Sequence, residues 1–280
     1  MPFSVVPSAR PRRLLLAALA LLASAATAHE FWLRPARFVV QPGARVHVGR
    51  WVGQDFAGAR WPGQSSRVEE LVHLKPGNLR TDLTGAATQA DSLQTTVALD
   101  LPGTHVLALR TNEALISMKA EEFTAYLKEE GLEDILYLRT RRKLTDKPAK
   151  EAYRRCAKTL LLAGSSPRAD TTWRTRVGHP LEIVAEQNPY ALRVGASLTI
   201  RVWRNHLPAD RQLVQAWVRP LDGSPVQHLQ LHTNLNGRAM LRLSQPATVL
   251  LAAVHMAPHP VPATADWQSI WASLTFAFPG

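Results

Sequence analysis

The chain contains 280 residues, 46% of them apolar and 20% charged, which is enough to bury a core and excludes a wholly disordered chain. Basic residues outnumber acidic ones by 33 to 22, a formal charge of +11, and the length allows two domains or one domain with an insertion. The single cysteine, Cys156, excludes an intramolecular disulfide, a cysteine-rich zinc module and an iron–sulfur cluster. Its local sequence favours burial as a small apolar residue over pairing with another molecule.

Residues 1–28 have the pattern of a cleaved secretory signal. Three arginines within Arg10–Arg13 precede the apolar stretch Leu14–Ala26, which is shorter than the ~20 residues that span a bilayer. Ala26-Thr27-Ala28 then supplies small residues at the −3 and −1 positions of a signal peptidase site. We therefore expect a periplasmic protein that starts at His29 and does not span the membrane after cleavage.

Cleavage at this site lowers the formal charge from +11 to +8, because it removes the three arginines and no acid. An exported protein does not normally meet nucleic acid, so we expect no nucleic-acid partner. The basic surface either faces anionic envelope lipid or polysaccharide, or aids solubility.

Residues 29–116 predict an N-terminal β-sandwich region, because short strand-like runs alternate with turn residues about every ten positions. The candidate strands are Arg37–Gln41, Arg45–Val52, Glu70–Lys75, Leu93–Leu99 and Thr104–Arg110.

Residues 117–164 predict a helical insert packed on the β framework. Ala120–Arg139 is rich in Glu, Leu, Ala and Lys at helical spacing, and Gly131 is expected to break it in two. A further helix is expected to start at Asp146 and to end at Gly164. Residues 165–179 read as a polar linker.

Residues 180–280 predict a C-terminal β-sandwich region. The fold class is therefore mainly β, with two sandwich regions of immunoglobulin-like or carboxypeptidase-regulatory-like type and an inserted α-helical hairpin. The candidate strands are Leu181–Glu186, Ser197–Arg204, Leu213–Arg219, Val226–His232, Arg238–Leu243, Ala247–Met256 and Ser269–Phe278.

From His29 onward the chain resembles a bacterial exported family called domain of unknown function 4198. The resemblance covers nearly the whole mature chain, and its most specific parts are the opening and closing motifs. The matching segments are His29-Glu30-Phe31-Trp32-Leu33, Glu122-Phe123, Glu130-Gly131-Leu132-Glu133, Tyr153-Arg154-Arg155-Cys156-Ala157-Lys158, Asn188-Pro189-Tyr190, Ala253-Val254-His255-Met256 and Trp271-Ala272-Ser273-Leu274-Thr275-Phe276. Members of that family are described as periplasmic components of cobalt and nickel uptake systems, so the resemblance implies a periplasmic protein connected with metal uptake.

A mature N-terminus at His29 predicts a metal ligand. Its free α-amine and its ring Nδ1 can close a six-membered chelate, and one more imidazole would complete a planar three-nitrogen site suited to Cu(II) or Ni(II). Cleavage after Ala26 would instead leave His29 at position three, which also forms a square of nitrogen ligands. The alternative is a histidine that happens to begin the chain.

His255 is the first choice for the second imidazole, because it lies in an apolar strand and because the family resemblance includes it. The alternative is a core histidine that is hydrogen-bonded to the protein. His259 in the following loop and Glu30 beside His29 are weaker candidates. His228 and His232 are predicted to be surface residues, since positions i and i+4 of a strand lie ~13 Å apart, too far to share one ion.

The leading interpretation is a periplasmic transition-metal-binding protein that delivers nickel, cobalt or copper to an uptake system or an acceptor protein; a membrane transporter component is an expected partner. The chain lacks a Gly-rich phosphate loop, a Gly-x-Ser-x-Gly elbow and a His-Glu-x-x-His pair, so we expect no enzyme. The alternative is a β-sandwich that binds envelope polysaccharide or protein without metal. A copper-dependent oxidase with an N-terminal histidine ligand ranks last.

Overall fold

The computed structural model describes residues 30–61, 65–89, 94–167 and 169–280. The expected signal peptide and His29 lie outside these residues. The described chain is mainly β, as predicted, with three α-helices: α1 (Thr84–Gln89), α2 (Ala120–Glu129) and α3 (Glu133–Arg141). Its strands are β1 (Glu30–Pro35), β2 (Val39–Val40), β3 (Ala44–Gln54), β4 (Ala57–Arg60), β5 (Val68–Lys75), β6 (Leu79–Asp82), β7 (Gln94–Leu99), β8 (Gly103–Thr111), β9 (Ala114–Met118), β10 (Ala149–Ala163), β11 (Leu181–Ala185), β12 (Ser197–Arg204), β13 (Leu207–Pro208), β14 (Leu213–Pro220), β15 (Gln227–His232), β16 (Arg238–Arg242), β17 (Ala247–Pro258) and β18 (Trp267–Phe278).

A large ten-stranded sheet forms the centre of the molecule. Its main strand order is β15-β14-β17-β18-β10-β8-β5-β6, and β2 and β9 also pair with β10. The β10–β18 and β10–β2 pairs are parallel, whereas the other pairs are antiparallel. This sheet takes strands from both of the predicted β regions and so runs through the whole protein.

Two smaller sheets cover opposite faces of the large sheet. The first contains β1, β3, β4 and β7, and the second contains β11, β12, β13 and β16. Successive side chains of a strand point to opposite faces, and β18 shows this directly. Leu274 and Phe276 pack in the core that includes the second small sheet, whereas the Ser273 hydroxyl on the other face donates to the Phe31 carbonyl of β1 at 2.7 Å.

The prediction of a helix from Asp146 to Gly164 is wrong, since Ala149–Ala163 is the fifteen-residue central strand β10. A continuous apolar run such as Leu160–Leu162 fits a helix or a strand that is buried on both faces, and periodicity alone does not separate the two. Here Leu160 packs toward the second small sheet and Leu161 toward the first. Burial on both faces therefore overrides the helix propensity of this segment.

The helical hairpin itself is confirmed over α2 and α3, with the break at Gly131. Its apolar side packs on the face of the large sheet that carries β1, where the Phe123 ring lies 6.4 Å from Trp267 of β18 and the Tyr126 ring lies 5.8 Å from Trp271, centroid to centroid. A hydrogen bond from the Gln215 side chain to the Glu129 carbonyl places the C-terminal end of α2 beside strand β14.

Cys156 is buried in β10, as predicted. Within the ranges that the structure describes, no helix is both long and apolar enough to cross a bilayer.

Candidate functional site

An acidic cleft of about 300 Å³ opens where β1 begins. It lies between the first small sheet, the end of α2 and the edge of the large sheet. Its lining residues are Glu30, Gln54, Asp55, Lys128, Glu129, Glu130, Gln215, Trp217, His228 and Gln230. The four acids outnumber the one lysine, so the cleft favours cations.

Local backbone geometry brings the β1 side of the cleft together. Glu30 pairs with Gly53 of β3, and a Cβ at Gly53 would lie 2.0 Å from the Ala57 carbonyl oxygen, so only glycine fits. The turn that follows carries Asp55 in the left-handed region at φ 52°, which Asp tolerates better than most residues. This tight turn between β3 and β4 presents Asp55 beside Glu30.

The opposite wall comes from the end of α2. Glu129 is the last residue of α2 and Glu130 follows it, while the Gln215 side chain of β14 donates to the Glu129 carbonyl at 3.2 Å. Acidic residues at a helix C-terminus face the negative end of the helix dipole, which is unfavourable. The helix thus places negative charge in the cleft at a cost in stability.

Glu30 and Glu130 are both only 6% exposed. Burial raises the pKa of Glu130 to about 8 and that of Glu30 to about 7, because a buried carboxylate loses its hydration. The negative charge of Glu30 raises the pKa of Glu130 further, and Glu129 raises both. Burial and the neighbouring negative charges therefore favour the protonated forms of these two carboxyl groups, and a bound cation would favour their ionised forms.

Two buried polar atoms that line the cleft have no hydrogen-bond partner among the described residues. They are Oε2 of Glu30 and the indole Nε1 of Trp217. Buried polar groups are usually hydrogen-bonded, because leaving one unpaired costs roughly 1–3 kcal/mol. An unpaired carboxylate oxygen in an acidic cleft is consistent with a cationic ligand.

His228 forms the exposed rim of the cleft. Its ring stacks on Trp217 with centroids 4.9 Å apart, and its Nε2 lies 2.7 Å from Oε1 of Gln215. An amide oxygen accepts, so Nε2 donates the proton and, in the neutral ring, Nδ1 keeps its lone pair. The Gln215 contact thus leaves Nδ1 as the nitrogen able to bind a cation.

The cleft does not form a complete metal site on its own. Across the described ranges, no group of three or more His, Cys, Asp or Glu side chains converges closely enough to hold a metal ion. A transition metal in this cleft would need ligands from outside those ranges.

The structure does not bring His255 to Glu30. His255 lies in β17 and pairs with Ile270 of β18, so its side chain is on the face that carries the second small sheet, whereas β1 lies on the other face. Nδ1 of His255 is 3.2 Å from the Arg204 guanidinium, and burial together with this positive charge lowers the pKa of His255 to about 4.

His259, the candidate ligand in the loop after β17, is largely buried and contacts the backbone of its own loop. Its Nδ1 lies 3.0 Å from the backbone nitrogen of Val261 and 2.8 Å from the carbonyl of the same residue. This contact fixes the loop after β17 and leaves Nδ1 engaged with the backbone.

Sequence reasoning missed Glu130 and underrated His228 as site residues. His228 is on the surface, as predicted, but the strand pairing places it over Trp217 at the cleft. The one sequence feature that could have found the site is the Glu129-Glu130 pair, because acids are unfavourable at the end of a helix.

Comparison with solved structures finds distant similarity at low sequence identity. Trypsin-activated α2-macroglobulin of Escherichia coli is 12% identical with a TM-score of 0.23, and the match covers 91% of this chain and 16% of that one. A two-domain fibronectin type III segment of chicken tenascin is 11% identical with a TM-score of 0.20, covering 81% of this chain and 90% of that one. These similarities are too low to bear on activity.

The search of curated proteins finds no match. A family model, described as Domain of unknown function (DUF4198), matches residues 26–257 and confirms the resemblance of the sequence to that family. Because this match covers most of the chain, the protein belongs to the DUF4198 family.

Proposed function

We propose that this protein is a periplasmic carrier of a transition-metal ion, nickel, cobalt or copper, which it binds at its mature N-terminus and passes to an uptake system or an acceptor protein. The observation that carries the proposal is the acidic cleft at the first residue of β1, with the unpaired buried Oε2 of Glu30 inside it.

Covalent geometry connects the cleft to His29. Consecutive Cα atoms are 3.8 Å apart, so a chain cleaved after Ala28 would begin directly beside Glu30. The α-amine and Nδ1 of His29 would then supply two nitrogen ligands at the place where the cleft supplies oxygens. These two nitrogens are the ligands that the described cleft lacks.

The cleft complements such a chelate in charge and in ligand type. A divalent cation would offset the like charges of Glu30 and Glu130, and carboxylate oxygen and imidazole nitrogen are common ligands of divalent first-row metals. The exposed ring of His228 offers a third nitrogen at the rim. A site whose rim carries the exposed His228 beside edge strand β15 suits transfer of the ion to another protein.

His255 has no part in this proposal, because it lies on the opposite face of the large sheet. The prediction that His29 and His255 share one ion depends on a residue outside the described ranges. The variant His255→Ala therefore tests it in the experiment below.

The experiment is a calorimetric titration of the secreted, mature protein with Ni(II) and with Cu(II), after N-terminal sequencing has established its first residue. We expect binding by the chain that starts at His29, and at least about tenfold weaker binding (about 1.4 kcal/mol) when one residue is added before His29 or when His228→Ala is introduced. His232→Ala is the matched control, since His232 is exposed on the same strand but does not line the cleft.

Equal affinity for the extended chain, His228→Ala and the wild type would overturn the proposal. Loss of binding in His255→Ala alone would favour the His29–His255 site. If the protein binds no metal, the remaining interpretation is that it is a β-sandwich that binds envelope polysaccharide or protein.

A further inference from the structure

A second, basic groove of about 360 Å³ lies on the outer face of the second small sheet. Its walls include Arg174, Arg176, Arg201 and Trp203, with Glu186 and Gln187 at one end. The second small sheet and the acidic cleft are on opposite faces of the large sheet. The groove is therefore separate from the proposed metal site.

Trp203 holds two of the arginines in place. The guanidinium carbons of Arg176 and Arg201 each lie 4.0 Å from the centroid of the Trp203 ring. The two carbons are therefore at most about 8 Å apart, which is twice that distance and within one Debye length at physiological salt. Two like charges are thus held within about 8 Å of each other by cation–π contacts with one ring.

Acidic side chains do not neutralise this cluster within the described ranges. Glu186, the one acid that lines the groove, forms an ion pair with Arg238 at 2.6 Å. None of Arg174, Arg176 and Arg201 forms an ion pair with a described residue. The groove therefore holds three guanidinium groups whose charge is left to be balanced by solvent ions or by a ligand.

The three guanidinium groups keep most of their donors for such a ligand. Arg201 uses Nε to donate to the Asn236 carbonyl at 2.8 Å, and one Nη of Arg176 lies 3.2 Å from Nδ1 of His206. These contacts orient the two planes and leave further N–H groups, since a guanidinium carries five donors.

We propose that this groove binds a phosphate monoester dianion. One guanidinium already satisfies a planar carboxylate in a bidentate pair, whereas a tetrahedral dianion has enough acceptor oxygens and charge to engage three. The concave shape fits a single anionic group held between side chains. The phosphate can belong to a soluble phosphoester or to a lipid whose headgroup is a terminal phosphate, as in phosphatidic acid, since both present a phosphate monoester to the arginines.

The test is a calorimetric titration with inorganic phosphate at constant ionic strength. We expect measurable binding by the wild type and at least about tenfold weaker binding by Arg176→Gln/Arg201→Gln. Arg242→Gln is the control that removes one charge, as Arg174→Gln does, because Arg242 is exposed on β16 of the same sheet but does not line the groove. Arg174→Gln, which leaves the stack on Trp203 intact, should also weaken binding and guards against misfolding of the double variant.

Co-sedimentation with vesicles that contain phosphatidic acid separates the two sources. Sedimentation that the double variant abolishes would assign the phosphate to lipid, and absence of sedimentation would assign it to a soluble phosphoester. Phosphate affinity that is equal in the wild type, the double variant and Arg174→Gln would overturn the proposal, as would failure of the wild type to bind phosphate. Neither result would affect the metal titration, which uses the other face.

Discussion

Trp217 and His228 stack face to face across neighbouring strands, with ring planes only 8° apart. Trp217 is 2% exposed whereas His228 is exposed, so the pair joins the core of the large sheet to the rim of the acidic cleft. The stack holds the imidazole in one orientation and so lowers the entropy cost of using it as a ligand. The metal proposal depends on this placement more than on the number of histidines in the chain.

The buried ion pair between Lys158 and Glu182 connects the large sheet to the second small sheet. Their charged atoms are 2.7 Å apart, and both side chains are at most 2% exposed. We expect Lys158→Met to lower the free energy of unfolding by about 3–5 kcal/mol, because it leaves a buried carboxylate without its cation. Urea unfolding would measure this loss.

The control for that variant is Lys75→Met, which breaks the more exposed pair with Asp100 at 3.1 Å. An exposed pair contributes about 0–1 kcal/mol, so this variant should remain close to the wild type. Losses of equal size in the two variants would show that the buried pair has no special role.

Arg139 is expected to hold the helical hairpin together. It is 2% exposed, its guanidinium donates to the Leu144 carbonyl at 2.6 Å and to the Lys147 carbonyl at 2.7 Å, and it lies over the Phe123 ring. Arg139→Met should cost about 2–4 kcal/mol, since it leaves both carbonyls without this donor.

Arg141→Met on the same helix is the matched control for Arg139→Met, because Arg141 is exposed and should change stability by about 0.5 kcal/mol or less. Thermal or urea unfolding of both variants gives the comparison. If Arg139→Met unfolded at the same denaturant concentration as Arg141→Met, the hairpin would not depend on this residue.

Buried His73 should make the fold less stable in acid. Burial and the neighbouring His105 lower the pKa of His73 to about 4 in the folded chain, against an ordinary value of 6.5. Between pH 6.5 and 4 the unfolded chain therefore takes up a proton that the folded chain does not, so stability falls as the pH falls through this window. The contribution of His73 is at most about 3 kcal/mol.

Urea unfolding from pH 4 to pH 7 would measure this effect in the wild type and in His73→Leu. The slope of stability against pH should be smaller in His73→Leu than in the wild type. The lowered pKa of His255 contributes to the same slope, whereas the raised pKa values of Glu30 and Glu130 oppose it. The test is therefore the difference between the slopes of His73→Leu and the wild type. Parallel pH curves for His73→Leu and the wild type would contradict it.

The sequence predicted the strands well where polar and apolar residues alternate. The bounds of β12 match the expected Ser197–Arg204, and the hairpin α2–α3 breaks at Gly131 as expected. Strand β10 was missed because its burial on both faces removes the alternation that marks a strand.

The site was less predictable, because its residues come from distant parts of the chain. Glu30, Glu130 and His228 meet only through the pairing of β1 with β3, the packing of α2 and the pairing of β14 with β15. The local sequence around His255 does not show whether its side chain lies on the same face of the large sheet as β1. That depends on the order of the strands in the sheet, which a single sequence does not reveal.

The most direct measurement is a crystal structure of the mature, nickel- or copper-loaded protein with anomalous diffraction data at the metal edge. We expect one strong anomalous peak in the acidic cleft, bound by the amine and ring of His29 and lying beside Glu30 and His228. A peak next to His255 and Arg204 on the opposite face of the large sheet would contradict it, as would a cleft without a peak in crystals that contain the metal elsewhere.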